Sequence, residues 1–239
     1  MNLARVGAVA ACALTGWGAG AIIAATPAAA CPIAQGTPTC APDVLTISPS
    51  ATVVASASGT ITPTPPNFTA DWVEKVYKDP ANTLCNSPGN CLTWIVEITG
   101  HIPNGSTDVI QRVTVSAFQG FTVDLGYIQP PNTAPGMTNP PAGNVPNNVS
   151  RSTNGSTLSW DFTTASTEIR DGQSTVLLEA ETSATTVVPG TISVQDGTAG
   201  GATAIGPALP EVPWVPVIGL FGGALAGGIL YRRGRRVSG

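Results

Sequence analysis

The chain is 239 residues long, only 10% of them charged, with 27 glycines, 22 prolines and a net charge of −4. All 14 acidic side chains fall between residues 31 and 211, against five basic ones there (Lys75, Lys78, Arg112, Arg151 and Arg170). No basic stripe exists, which excludes nucleic acid as a partner. The roughly 180 residues of this middle region suffice for one domain with a real core, and their abundant Thr, Ser, Asn, Gly and Pro predict a secreted β protein with little helix.

At the N-terminus, Arg5 precedes an apolar, alanine-rich stretch from Val6 to Ala25, and Ala28-Ala29-Ala30 supplies small residues at the −3 and −1 sites. Residues 1–30 are therefore predicted to be a cleavable secretory signal peptide. Cleavage after Ala30 makes Cys31 the mature N-terminus, which also admits a lipoprotein reading. Parity speaks against lipidation: removing Cys12 leaves Cys31, Cys40, Cys85 and Cys91, and lipidating Cys31 would strand Cys40. Proximity favours Cys31–Cys40 and Cys85–Cys91 in an oxidising compartment, among the three pairings that four cysteines allow. The second pair would staple a hairpin tip around the turn residues Asn86-Ser87-Pro88-Gly89-Asn90. Zinc is not expected there, because the spacing is not C-x-x-C and the only histidine, His101, lies elsewhere.

Residues 31–69 form a Ser/Thr/Pro-rich N-terminal segment, of which 41–69 suggests an extended stalk, although Val44–Ile47 and Thr52–Ala55 could each supply a short strand. Beyond them the pattern turns to period two, the mark of half-buried strands. Leu92, Trp94, Val96 and Ile98 share one face; Val113 and Val115 share another. The same alternation places Phe121, Val123, Leu125 and Tyr127 together, then Leu158, Trp160 and Phe162, then Val176, Leu178 and Ala180, then Ile192 and Val194. With Trp72–Tyr77 this gives seven or more short strands, so a single antiparallel β-sandwich is expected over residues 70–197. Gln129 to Asn148, with six prolines, reads as an exposed, partly extended loop. From Asp196-Gly197 onward the composition suggests a flexible tether, with linker and sorting motif filling 198–213.

Leu209-Pro210-Glu211-Val212-Pro213 leads into an uncharged apolar run, Trp214 to Tyr231, followed at once by Arg232-Arg233-Gly234-Arg235-Arg236. Eighteen helical residues span about 27 Å, just enough for a hydrocarbon core of about 30 Å. The aromatic ends suit the headgroup level, and the arginines place the tail 232–239 in the cytoplasm. Residues 214–231 are thus predicted to be a transmembrane helix with its ectodomain outside, and the membrane is its first partner. Gly219, Gly223 and Gly227 fall on one helix face, as in close helix packing, or reflect only a glycine-rich signal. The motif, apolar run and basic tail resemble the tripartite C-terminal signals of bacterial surface proteins processed by sortases (LPxTG type) or exosortases (PEP type). Leu209-Pro210 matches the start of the first motif and Pro210-Glu211 part of the second. Val212 and Pro213 depart from Thr-Gly, and Val212 replaces the second proline of Pro-Glu-Pro. The resemblance implies anchorage at the cell membrane or envelope and a sortase- or exosortase-like processing enzyme as a partner.

No catalytic constellation emerges. His101 is expected on a surface loop, no G-x-S-x-G marks a nucleophile, and no calcium loop of the D-x-[DN]-x-[DN]-G kind occurs. Asp124, Asp161 and Glu179 read as ordinary outward positions on strands. No metal or cofactor is expected. Trp94 and Trp160 are expected in the core, and Trp72 is the candidate for an exposed ligand contact. The expected function is a noncatalytic surface protein with a structural or adhesive role, its partners other envelope proteins. A carbohydrate-binding module for surface glycans is the first alternative and a secreted hydrolase the second.

Overall fold

A computed structural model of the chain describes residues 33–85, 89–103 and 106–209. The expected signal peptide, Cys31, the sorting motif from Pro210 to Pro213, the span 214–231 and the basic tail lie outside the described residues. Among the described residues no helix is long and apolar enough to cross a membrane.

The described chain forms eleven strands and no helix. These are β1 (Asp43–Leu45), β2 (Thr52–Ile61), β3 (Thr69–Lys78), β4 (Leu92–His101), β5 (Arg112–Val115) and β6 (Val123–Ile128), then β7 (Asn148–Arg151), β8 (Leu158–Asp161), β9 (Leu177–Thr182), β10 (Val187–Asp196) and β11 (Thr198–Pro207). A six-stranded sheet runs β1-β6-β9-β4-β3-β2, and a five-stranded sheet runs β11-β10-β5-β8-β7. All pairings are antiparallel except β1 with β6, which is parallel and departs from the wholly antiparallel expectation.

Period-two alternation is what turns the two sheets toward each other. Trp94, Val96 and Ile98 of β4 and Leu178 and Ala180 of β9 share one buried cluster with Val113, Val115, Leu158, Trp160, Ile192 and Val194 of the other sheet. Trp94 meets Phe118 edge-on at 5.5 Å, and its Nε1 donates to Ile205 O of β11 at 3.0 Å. Trp160 Nε1 donates to Gly126 O at 2.8 Å. Each indole therefore buries its apolar body while its N–H bridges the two sheets.

The Ser/Thr/Pro-rich segment is not a stalk: β1 and β2 are built from it, and Cys40 pairs with Val149 in an antiparallel bridge. Nor do residues 198–207 form a tether. Asp196-Gly197 is a tight turn, with Gly197 at φ 58°, and the chain returns as β11 along the whole of β10. Gly and Ala there do not signal flexibility; they let β11 approach β2. A Cβ at Gly200 would lie 2.7 Å from Ile61 Cγ2.

The proline-rich loop also differs from expectation. It packs on the outer face of the six-stranded sheet, where Ala134 joins Ile47, Ala51, Tyr77, Ile95, Ile128 and Leu177 in a second buried cluster with Met137 against it. Tyr77 Oη donates to Pro135 O at 2.8 Å, and Lys75 Nζ donates to Gly136 O at 2.7 Å. Asn139, 5% exposed, donates to Ile128 O and Asn132 O and accepts from Leu177 N. These bonds supply the loop with the backbone partners that a regular strand would have provided.

Candidate metal centre

Cys85 and Cys91 form a disulfide. Cys40 is also disulfide-bonded, and its expected partner, Cys31, lies outside the described residues. Leu209, first residue of the sorting-like motif, is 61% exposed. Trp72 corrects the sequence reading: it is 3% exposed and belongs to the core between the sheets. β3 turns Ala70, Trp72, Glu74 and Val76 inward, so the indole offers no platform to a sugar or partner.

His101 is the last residue of β4, not a loop residue, and it is exposed as expected. Its Nε2 lies 2.8 Å from Asp71 Oδ2, and Thr60 Oγ1 donates to Asp71 Oδ1 at 2.6 Å. The hydrogen bonds from Thr60 and then His101 hold the Asp71 carboxyl below its ordinary range. The groove beside His101, about 300 Å³, is lined by Pro66, Phe68, Thr69, Ile102, Pro103 and Asp171; no serine or cysteine in that lining forms a triad with the imidazole. A larger groove of about 680 Å³ near Ala117, Thr186, Val188 and Leu209 has no titratable side chain in its lining.

The acidic side chains hold the unexpected feature. Asp124, Asp161 and Glu179 do point away from the inter-sheet core, yet all three are buried. Asp161 is paired with Arg112. Asp124 and Glu179 join no ion pair among the described residues; both lie on the outer face of the six-stranded sheet. β9 places Glu179 and Glu181 two residues apart on that face, and Asp124 of β6 sits directly opposite Glu181. Asp79, in the turn just after β3, reaches the same place from the other side of β4. One carboxylate oxygen from each of Asp79, Glu179 and Glu181 lies within 4.8 Å of the other two.

Asp79 is held by the chain around it. Its Oδ1 accepts from Ser48 N at 3.1 Å and from Ala81 N at 2.9 Å, which leaves Oδ2 buried without a partner. The next turn is pinned by Asn82, whose amide donates to Leu92 O, Thr93 Oγ1 and Thr182 O, and then by the disulfide. Both oxygens of Glu179 and Oδ1 of Asp124 are likewise buried with no hydrogen-bond donor. Gly126, opposite Glu179, leaves room for β1: a Cβ there would lie 2.2 Å from Asp43 O.

Electrostatics follow from this crowding. Burial, then the neighbouring Glu181, Asp79 and Asp124 carboxylates, push the Glu179 carboxyl well above its ordinary range. Burial, then Asp124 and Asp79, push Glu181 up to about 7. Burial and then Asp43 raise Asp124, against a lowering hydrogen bond from Leu125 N–H. None of these carboxylates joins an ion pair found among the described residues. An oxygen-only donor set of this kind suits hard cations such as Ca²⁺ or Mg²⁺, not the sulfur- and imidazole-seeking transition metals.

The sequence carries half of this signal. Glu179-Ala180-Glu181 places two carboxylates on one face of a strand whose opposite face begins with the apolar Leu178 and Ala180. Asp79, 100 residues earlier, has no local mark linking it to them.

No known family profile matches the chain, and no curated protein or solved structure matches it.

Proposed function

We propose that this chain is a noncatalytic surface protein: a β-sandwich ectodomain carried outside the cell, anchored by its C-terminal segment and serving a structural or adhesive role. One observation carries the reading most of the way. The last strand, β11, ends at Pro207, and the chain emerges at an exposed Leu209, the first residue of the sorting-like motif. In sequence only residues 210–213 separate this point from the proposed anchor, as in a module displayed close to a membrane or wall. Two further features support it. Disulfide-bonded cysteines suit an extracellular compartment, and the large groove near Leu209 is lined mainly by small and apolar side chains, as a contact surface would be.

The intact, non-reduced mass of the protein extracted from its native envelope tests this. A mass for residues 31–239 with two disulfides, or one ending near residues 209–213 with a wall or lipid adduct, is expected. An unprocessed chain of 239 residues with free thiols, recovered from the soluble cytosol, would sink the proposal.

A further inference from the structure

The outer face of the six-stranded sheet concentrates carboxyl groups that form no ion pair among the described residues. Asp79 and Glu179 are fully buried and Glu181 is 8% exposed. Each contributes an oxygen to one small volume. Asp79 Oδ2 and both Glu179 oxygens have no donor. A second, separate group points the same way: Asp124, from a different strand and 5% exposed, turns an unpartnered Oδ1 toward the same face, opposite Glu181. The lysine on that face, Lys75, is spent on Gly136 O. Burying an unpaired carboxylate is among the costliest arrangements a fold can hold, and here several converge.

We propose that Asp79, Glu179 and Glu181, with Asp124 beside them, bind a hard divalent cation, calcium in preference to magnesium or zinc. The donor atoms are all carboxylate oxygens, which excludes a zinc preference. Magnesium keeps several waters in a strict octahedron, and the complete burial of Glu179 and Asp79 leaves little room for them. Calcium accepts irregular, mono- or bidentate carboxylates with separations like those found here. The ion would fasten the middle of β9 to the turn after β3, and through Asp79 Oδ1 to the 46–51 segment. It would act as a structural clasp, with no demand on catalysis and no dependence on where the protein is anchored.

Thermal unfolding of the full chain, stripped with a chelator and titrated with calcium, magnesium or zinc chloride, tests this, with calorimetric titration in parallel. Calcium at a hundredfold excess over its Kd is expected to raise Tm by roughly 5–10 °C. Glu179→Gln keeps the side-chain shape and removes one buried charge. It should melt no lower than stripped wild type and show no calcium response, which separates lost binding from lost folding. Glu181→Gln should weaken calcium by about tenfold or more, and it carries the test if Glu179→Gln does not fold. The proposal is overturned if no ion at about 10 mM, well above the Kd of extracellular calcium modules, shifts Tm. It is equally overturned if both variants respond as wild type does, or if magnesium or zinc stabilises more than calcium.

Discussion

Glu74 occupies an inward position of β3, fully buried between the sheets. Its Oε2 accepts from Ile205 N at 2.8 Å, while Oε1 has no partner. Burial pushes its carboxyl up to about 7, against a smaller lowering effect of the Ile205 hydrogen bond. Across the sheet it faces Ala57 and Val96, and no charged neighbour contributes to the shift. In the folded protein the proton stays on to about pH 7, whereas the unfolded chain releases it near 4.5. Between those values the folded state binds more protons, so this residue's contribution makes stability fall as pH rises. The full loss is about 3 kcal/mol as an upper bound. Glu74→Gln has no proton to lose, and the acidic groups of the outer face, on the opposite side of the sheet, cancel in the comparison. Its stability relative to wild type, from urea unfolding, is expected to climb from about pH 4.5 to about pH 7.5. A difference independent of pH would mean that Glu74 titrates normally. The same residue explains why the burial of Trp72 is hidden in the sequence. With Val73 38% exposed and Glu74 buried, the apolar positions of Trp72-Val73-Glu74-Lys75-Val76 do not alternate with the polar ones, so the inward phase is masked. Where alternation is unbroken, as around Trp94 and Trp160, the inward face is legible and both indoles are buried.

At the scale of elements, alternation tells which face a side chain takes but not what lies over that face. Asp124 and Glu179 are outward in sequence and buried in fact, on a face where Ile47 and Ala51 of the 46–51 segment and Ala134 of the 129–147 loop pack. That packing is made by contacts far apart in sequence, such as Tyr77 with Pro135 and Ser48 with Asp79, and no local pattern encodes it. The candidate cation site is half legible for the same reason: Glu179 and Glu181 show as a pair on one strand face, but nothing local brings the distant turn of Asp79 to them. Asn139 is the loop's main fastening, with three bonds to backbone atoms of β6, the loop itself and β9. Asn139→Ala leaves two carbonyls and one N–H buried without that partner, at a cost of about 2–4 kcal/mol. Most of this should appear as local opening, since the inter-sheet core on the other face is untouched. Limited proteolysis should then cut the variant within residues 129–147 much faster than wild type, with little change in the cleavage of other segments. Equal cleavage rates would show that the prolines and Met137, not Asn139, hold the loop down.

For the whole molecule, the decisive question is where the domain ends. Composition places the end near Asp196, because Gly, Ala and Thr dominate residues 197–208; the fold places it after β11. The small residues of β11 are demanded by proximity. Gly206 lies so close to Ala117 that a Cβ would sit 2.7 Å from that residue's Cβ, and Gly200 is pressed against Ile61 and Pro63. β11 also carries the two backbone groups of Ile205 that satisfy buried side chains of the opposite sheet, its N–H for Glu74 and its C=O for Trp94. Truncation after Asp196 would therefore strand a buried carboxylate and a buried indole N–H at once. It would also uncover Ile61 and expose the full length of β10 as an unpaired edge. These losses together exceed the few kcal/mol by which a domain of this size is stable. A chain ending at Asp196 is expected to lose its cooperative thermal transition, whereas one ending at Leu209 should keep a Tm within about 2 °C of the full chain, since it retains the whole of β11. Circular dichroism melts of the two truncations decide it. A cooperative melt for the shorter chain would restore the flexible tether. Its absence would make β11 an integral edge of the fold, so that a pull applied beyond Pro207 acts first on β11 and on the two cross-sheet bonds it carries.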